Sequence, residues 1–482
     1  MRSATAVIVM LLATALLVGP GWDEPARSIQ LVGSAALAPG AARSTPAASG
    51  DELWIAIFDG PTHQTDVGNA VAFSPDGSRL FVTGDSTVGE GADRGIETLA
   101  YDPGTGAQLW ANLYKGPSHG FDEGVAIAVE PDGSRVFVTG LVESTNGTDD
   151  IATLAYDART GVRLWVRQFD GPANSSDRGY AVAVDPTGRR VFVTGSSATP
   201  NHDVDVPTFA YDAATGAVLW AGRYDGPGHG TDIGHAMAVS PDGSKVFVTG
   251  QSEGARSGLD YITLAYRATS GTLLWARRFR LRGAIADVAN SIAVSPIGDR
   301  VFVTGDRATK WTTLAYDAAT GRLLWGKAHV SPTASATAYA VAASPDATRV
   351  FVTGDDTGAD TGRDYVTIAY SATSGAELWE SRYDGPQHSQ DEADVVASSP
   401  DGQRVFVTGY SNGANGFYDY ATVAYDSATG AQLWTQRYDG SGAYWDVAQS
   451  LAVRPDGAEV VVTGYSDTVD HLYDFATIAY VA

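Results

Sequence analysis

The 482-residue chain carries 56 acidic against 32 basic side chains, a net charge of −24, and has no cysteine. This excludes disulfides, thiolate metal centres, a cysteine nucleophile, covalently attached haem and a lipid-modified Cys anchor, and argues against docking on nucleic-acid phosphates. Aromatic residues make up 10% of the chain, 11 of them Trp, so global disorder is excluded as well.

Arg2 precedes an apolar run, Ala6 to Gly19, shorter than the roughly 20 residues that span a bilayer. Residues 1–20 therefore read as a signal peptide, cleaved either near Pro20 or after Ala36-Leu37-Ala38. Residues 21–50, rich in Ala, Pro, Gly and Ser, read as a linker, and 51–482 as the mature domain. The expectation is a secreted, extracellular or cell-envelope protein, monomeric, with no transmembrane segment in the mature chain. Without disulfides, an exported domain relies on packing and hydrogen bonding.

From residue 51 onward the chain repeats. The string F/V-V-T-G ends at Gly84, Gly140, Gly195, Gly250, Gly305, Gly354, Gly409 and Gly464, at spacings of 56, 55, 55, 55, 49, 55 and 55. Each unit holds four short β-branched or aromatic runs: A, closed by S-P-D-G; B, V-F-V-T-G; C, T-L-A-Y-D; and D, L-W-x-x-x-Y. Turn residues separate them, which marks antiparallel strands. Four strands per repeat is one blade of a β-propeller. The chain opens with an orphan D run (52–58) and stops after a C run (475–481). Strand 52–58 therefore completes the eighth blade beside strand 475–481 and closes the ring, giving an all-β, eight-bladed β-propeller of four-stranded antiparallel blades. Trp54, Trp110, Trp165, Trp220, Trp275, Trp325, Trp379 and Trp434 recur at one place per blade and are assigned to inter-blade packing.

The repeats at 210–220 (A-Y-D-A-A-T-G-A-V-L-W) and 424–434 resemble the tryptophan-docking repeat of pyrroloquinoline-quinone-type propellers. The wider unit is similar to bacterial SBBP-type propeller repeats, carried here by Tyr383-Asp384-Gly385-Pro386, Val405–Gly409 and Asp419–Tyr425. The resemblance covers 51–482 and implies fold more than function. Quinoprotein dehydrogenase activity is the alternative it raises, with a quinone- or metal-dependent site at the central channel. Against it, the adjacent cysteines and haem motif of that family are missing, and no one blade matches its calcium-ligand and catalytic-Asp set. No cofactor is predicted: calcium is admitted, pyrroloquinoline quinone disfavoured.

Function is sought where blades depart from the repeat, on the face built by the variable B–C and D–A connections. One ring of acids precedes strand A (Asp66, Asp122, Asp177, Asp232, Asp287, Asp391, Asp446) and another opens strand C (Asp150, Asp205, Asp260, Asp364, Asp419, Asp474). Divalent cation binding, chiefly calcium, is the functional reading; loop-stapling by backbone N–H bonds is the plainer one. His63, His119, His229 and His388, with Asn174 at the same place, read as exposed loop residues. Between Arg277 and Lys327 nine basic residues face four acidic ones. Arg277, Arg278, Arg280, Arg282, Arg307 and Lys310 are thus candidates for docking an anionic partner, local pairing with acidic loops being the competing reading. In blades 7 and 8, Phe417, Tyr418, Tyr444, Trp445 and Tyr473 fall in loops, beside Asn412, Asn415 and Asp446, as a candidate sugar-stacking or partner-anchoring platform. No H-E-x-x-H or Walker-type motif is present, and a paired-carboxylate hydrolase stays open on so acidic a face. The reading is a binding module for a polysaccharide or protein, leaning away from an enzyme.

Overall fold

The computed structural model describes residues 48–482, apart from 90–92, 119, 202, 281–285, 308–309, 332–335, 359–360, 443, 470–471 and the side chain of Arg307. The signal-peptide assignment and nearly all of the linker lie outside the described residues. Among those described there is no helix long and apolar enough to cross a membrane.

Every repeat forms one four-stranded antiparallel sheet in the order A–B–C–D, and eight such sheets are present among the described residues. In blade 1 the strands are Asp66–Phe73, Leu80–Thr87, Arg94–Tyr101 and Gln108–Tyr114. Each A strand touches the A strands of both neighbouring blades, and the A strand of blade 8 touches that of blade 1. The A strands therefore form the inner ring. B and C are buried along nearly their whole length, whereas D exposes most of its residues, so D is outermost. Within each sheet a Thr on B faces a Thr on C, as in Thr139 and Thr153 (Oγ1···Oγ1 3.4 Å). Thr139 Oγ1 also donates to Ala152 O at 2.8 Å, so the buried hydroxyl is satisfied.

The eighth blade is assembled from both ends of the repeat array. Its D strand, Glu52–Phe58, pairs antiparallel with Tyr473–Val481, Phe58 facing Phe475 and Ile55 facing Ile478. The ring also takes in residues just before the predicted boundary at 51. Gly50 N–H donates to Val481 O (2.8 Å) and Ser49 Oγ to Ala482 O (3.2 Å). Ser49-Gly50 thus occupies the place that Thr-Gly or Ser-Gly holds in every other C–D turn.

The eight tryptophans lie between blades, 6–9% exposed. Trp165 packs between Phe137 of its own blade (5.8 Å) and Tyr211 of the next (6.2 Å), and its indole N–H donates to Ala213 O at 3.0 Å. The same geometry recurs from blade to blade, and Trp434 donates to Ser49 Oγ instead. Gly216, the turn glycine that faces Trp165, has φ +69°, and a Cβ there would stand 2.7 Å from the ring. Both the backbone conformation and the close approach require glycine.

Candidate functional site

The B–C and D–A connections share one face. Parallel bridges join the start of strand C to the following D–A loop at Val204/Thr231, Leu259/Ala286 and Arg363/Gln390. Arg94 N–H likewise donates to Gly120 O (2.9 Å).

On this face the acids before strand A act as loop staples. Asp177 accepts Gly171 N–H (2.5 Å) and Ala198 N–H (3.1 Å), tying the D–A loop to the end of strand B. Asp66, Asp122, Asp232 and Asp446 do the same. Asp391 accepts Gly385 N–H (2.7 Å), while Asp287 donates its own N–H to Leu259 O. A Cβ on Gly171 would lie 2.5 Å from Asp177 Oδ1, which explains the glycine of the D-G-P motif. Burial raises Asp66, Asp122 and Asp446 to about 6, and Asp177, Asp232 and Asp391 above the ordinary range, although the N–H bonds oppose the shift.

The two predicted rings meet at blade junctions together with a third acid, the Asp of Y/F-D-G. Asp59/Asp66/Asp474, Asp150/Asp170/Asp177, Asp205/Asp225/Asp232, Asp364/Asp384/Asp391 and Asp419/Asp439/Asp446 each bring three carboxylate oxygens within 4.8 Å of one another. Loop histidines sit on these groups: His63, His229 and His388 pair with Asp59, Asp225 and Asp384 at 2.5–2.9 Å. His119 lies outside the described residues.

The cationic candidates divide. Arg277 donates to the carbonyls of Thr320 and Gly321 in the neighbouring C–D turn (both 2.7 Å). Arg278, one residue on, turns to the B–C side and pairs with Asp260 (2.7 Å). These two belong to opposite faces because strand D alternates. Arg280 is exposed, and Lys310 is half-buried opposite Arg307 in register. Arg282 and the side chain of Arg307 lie outside the described residues.

The aromatic candidates converge. Phe417 meets Tyr444 edge-on at 4.9 Å, and Tyr418 stacks on Trp445 at 6.0 Å and 26°. Tyr418 also packs on Tyr410 at 4.5 Å and donates to Gln390 Oε1 at 2.7 Å. Tyr473 lies against Tyr465 (5.0 Å) in the same apolar cluster. Tyr444 and Trp445 remain 42% and 41% exposed. Two blades therefore present a pair of rings, each braced from behind.

Beneath that cluster lies an acidic group that the sequence analysis missed. Every A strand carries a one-residue bulge, at Asn69 in blade 1 and Asp394 in blade 7. Neither oxygen of Asp394 has a hydrogen-bond partner, and burial, then Glu392 and Asp355, hold its carboxyl far above the usual range. Asp355, raised to about 7 chiefly by burial, pairs with Arg363 at 3.3 Å, which also reaches Glu392 at 3.1 Å. The signal available in sequence was an acid at a bulge position where other blades have Asn, Val, Tyr, His or Gln.

Fold and junctions together define an eight-bladed propeller of the pyrroloquinoline-quinone-like repeat class. The sequence profile described as outer membrane protein assembly factor BamB matches residues 40–307 and 310–470, and the chain belongs to that family. No curated protein matches in sequence. Among solved structures, Chaetomium thermophilum Sqt1 bound to the N-terminus of ribosomal protein L10 is similar at 16% identity, covering 90% of this chain and 100% of its own, with a TM-score of 0.59. Quinohemoprotein alcohol dehydrogenase from Comamonas testosteroni is similar at 12% identity, covering 89% and 76%, with a TM-score of 0.55. At these identities the likeness is one of fold.

Proposed function

We propose that the module works outside the cytoplasm, as a monomer, and recognises a polysaccharide on the B–C/D–A face of blades 7 and 8. The observation that carries this is the exposure of Tyr444 and Trp445 on rings braced by Phe417 and Tyr418. Rigid aromatic faces lose little freedom on binding, and a flat ring with polar edges suits the apolar face of a sugar. Gln390, Asn412 and the neighbouring acids offer hydrogen bonds to hydroxyls. The net charge of −24 disfavours an anionic polymer and favours a neutral or amino-sugar one.

Electrophoresis of the propeller through gels containing neutral, amino-sugar or anionic polysaccharides tests this. The expected result is retardation by a neutral or amino-sugar polymer that falls at least tenfold in Trp445→Ala. Absence of retardation in every gel would overturn the reading and leave a protein as the partner. For export, N-terminal sequencing of the secreted product should place the first residue between about 20 and 39.

A further inference from the structure

The five acid triads are built alike but not neutralised alike. Each joins the Asp that opens strand C of one blade, the Asp that ends its strand D and the Asp that begins strand A of the next. Two groups of the protein itself answer this charge. One is an Arg on strand D, three residues after the docking Trp: Arg223 on Asp205, Arg437 on Asp419 (2.7 Å), and Arg382 near Asp364 (4.0 Å). The other is the loop His on the middle Asp: His63, His229 and His388. At two further junctions the middle acid is itself a base, Lys115 or Arg280.

The junction of blades 2 and 3 has neither answer. Gln168 stands where the Arg would be and donates to Tyr114 OH at 3.0 Å; Asn174 stands where the His would be. Each of the other four triads has at least one of the two. The nearby Arg178 is already held by Asp149 at 2.7 Å. Asp177 is fixed by its two backbone N–H bonds. Asp150 is 6% exposed, and its Oδ1 is buried without any hydrogen-bond partner. The equivalent Oδ1 of Asp205, Asp364 and Asp419 is also without a partner, but there an Arg faces the other oxygen; at Asp150 no Arg or His among the described residues answers the three carboxylates, a costly arrangement unless something positive fills it.

We propose that Asp150, Asp170 and Asp177 form a single divalent-cation site, suited to calcium, that clamps blade 2 to blade 3. All three donors are carboxylate oxygens, the preference of a hard cation, and no imidazole among the described residues joins them to select zinc or copper. Exposed Asp170 leaves room for the water ligands that calcium takes alongside protein oxygens. The other stations of the two acid rings serve as loop staples and carry their own counter-charge.

Calcium titration of the full propeller by calorimetry, with terbium luminescence as a second readout, tests the assignment. One ion per chain is expected, half-saturating at about 10⁻⁴–10⁻³ M as in extracellular modules. Asp170→Asn, an exposed change that spares the fold, should weaken binding at least tenfold, as should Asp150→Asn, while Asp225→Asn at the next junction leaves it unchanged. Calcium should also raise the unfolding midpoint of the parent and not of Asp170→Asn. No saturable binding up to 10 mM (about tenfold above the weak end of that range) would overturn the proposal. So would five ions per chain, or equal loss in Asp225→Asn.

Discussion

The two faces of the ring follow different rules. On the C–D turn face every blade repeats one solution, a tryptophan against a turn glycine at positive φ, and a carbonyl takes the indole N–H except at Trp434, where Ser49 Oγ does. On the B–C/D–A face the backbone frame repeats, but what answers the charge changes from junction to junction. The first face is where the repeat holds the blades together, because any blade that breaks the pattern loosens two interfaces. The second is free to diverge once the Asp staple and its glycine have fixed the loop. The residues proposed for binding lie there, as function on a rigid scaffold commonly falls to its loops.

The comparison can be broken hardest at the uniform face. Trp220→Ala removes a ring packed on Phe192 and Tyr266 and strands the Ala268 carbonyl, with an expected loss of about 3–5 kcal/mol in urea unfolding. An intermediate effect is expected at Glu97, a buried acid on strand C of blade 1 whose Oε1 has no partner. Burial, then Asp66, pushes its carboxyl up to about 8. Between its unfolded value near 4.5 and about 8, the folded chain holds a proton that the unfolded chain has lost. Stability therefore falls as pH rises through that window, by on the order of 5 kcal/mol at most. Glu97→Gln should flatten the difference between unfolding midpoints at pH 5 and pH 8; an unchanged slope would show that Glu97 does not carry it. The smallest effect on stability belongs to the divergent face: Trp445→Ala should stay within about 0.5 kcal/mol of the parent in the same unfolding assay. A large loss there would mean that the exposed rings hold blades 7 and 8 together.

What repetition imposes was legible in the sequence. The blade count, the strand order and the closure by 52–58 follow from residues that recur every 55 positions, and so does the tryptophan set. The junction triads were half legible. Two of their acids were read as separate rings, and the third, Asp170 and its equivalents, entered only as Asp384 in the Y-D-G-P string that carries the repeat resemblance. Their meeting depends on how strand C of one blade registers with strand A of the next, which spacing does not encode. Asp394 was missed because a bulge overturns the in–out alternation by which a strand is read. Arg277 and Arg278 were grouped by charge, although strand alternation separates them.

Closure through the split eighth blade also orders events in time. Residues 52–58 leave the ribosome first among the strands, yet their partner, Tyr473–Val481, is made last. At about 5–20 residues per second that edge waits roughly 20–85 s, with Phe58 unable to meet Phe475, the ring it packs on across the sheet. The first-made strand is then the bolt that turns seven and three-quarter blades into a ring, through the strand pairing most remote in sequence and so the one with the longest loop to close.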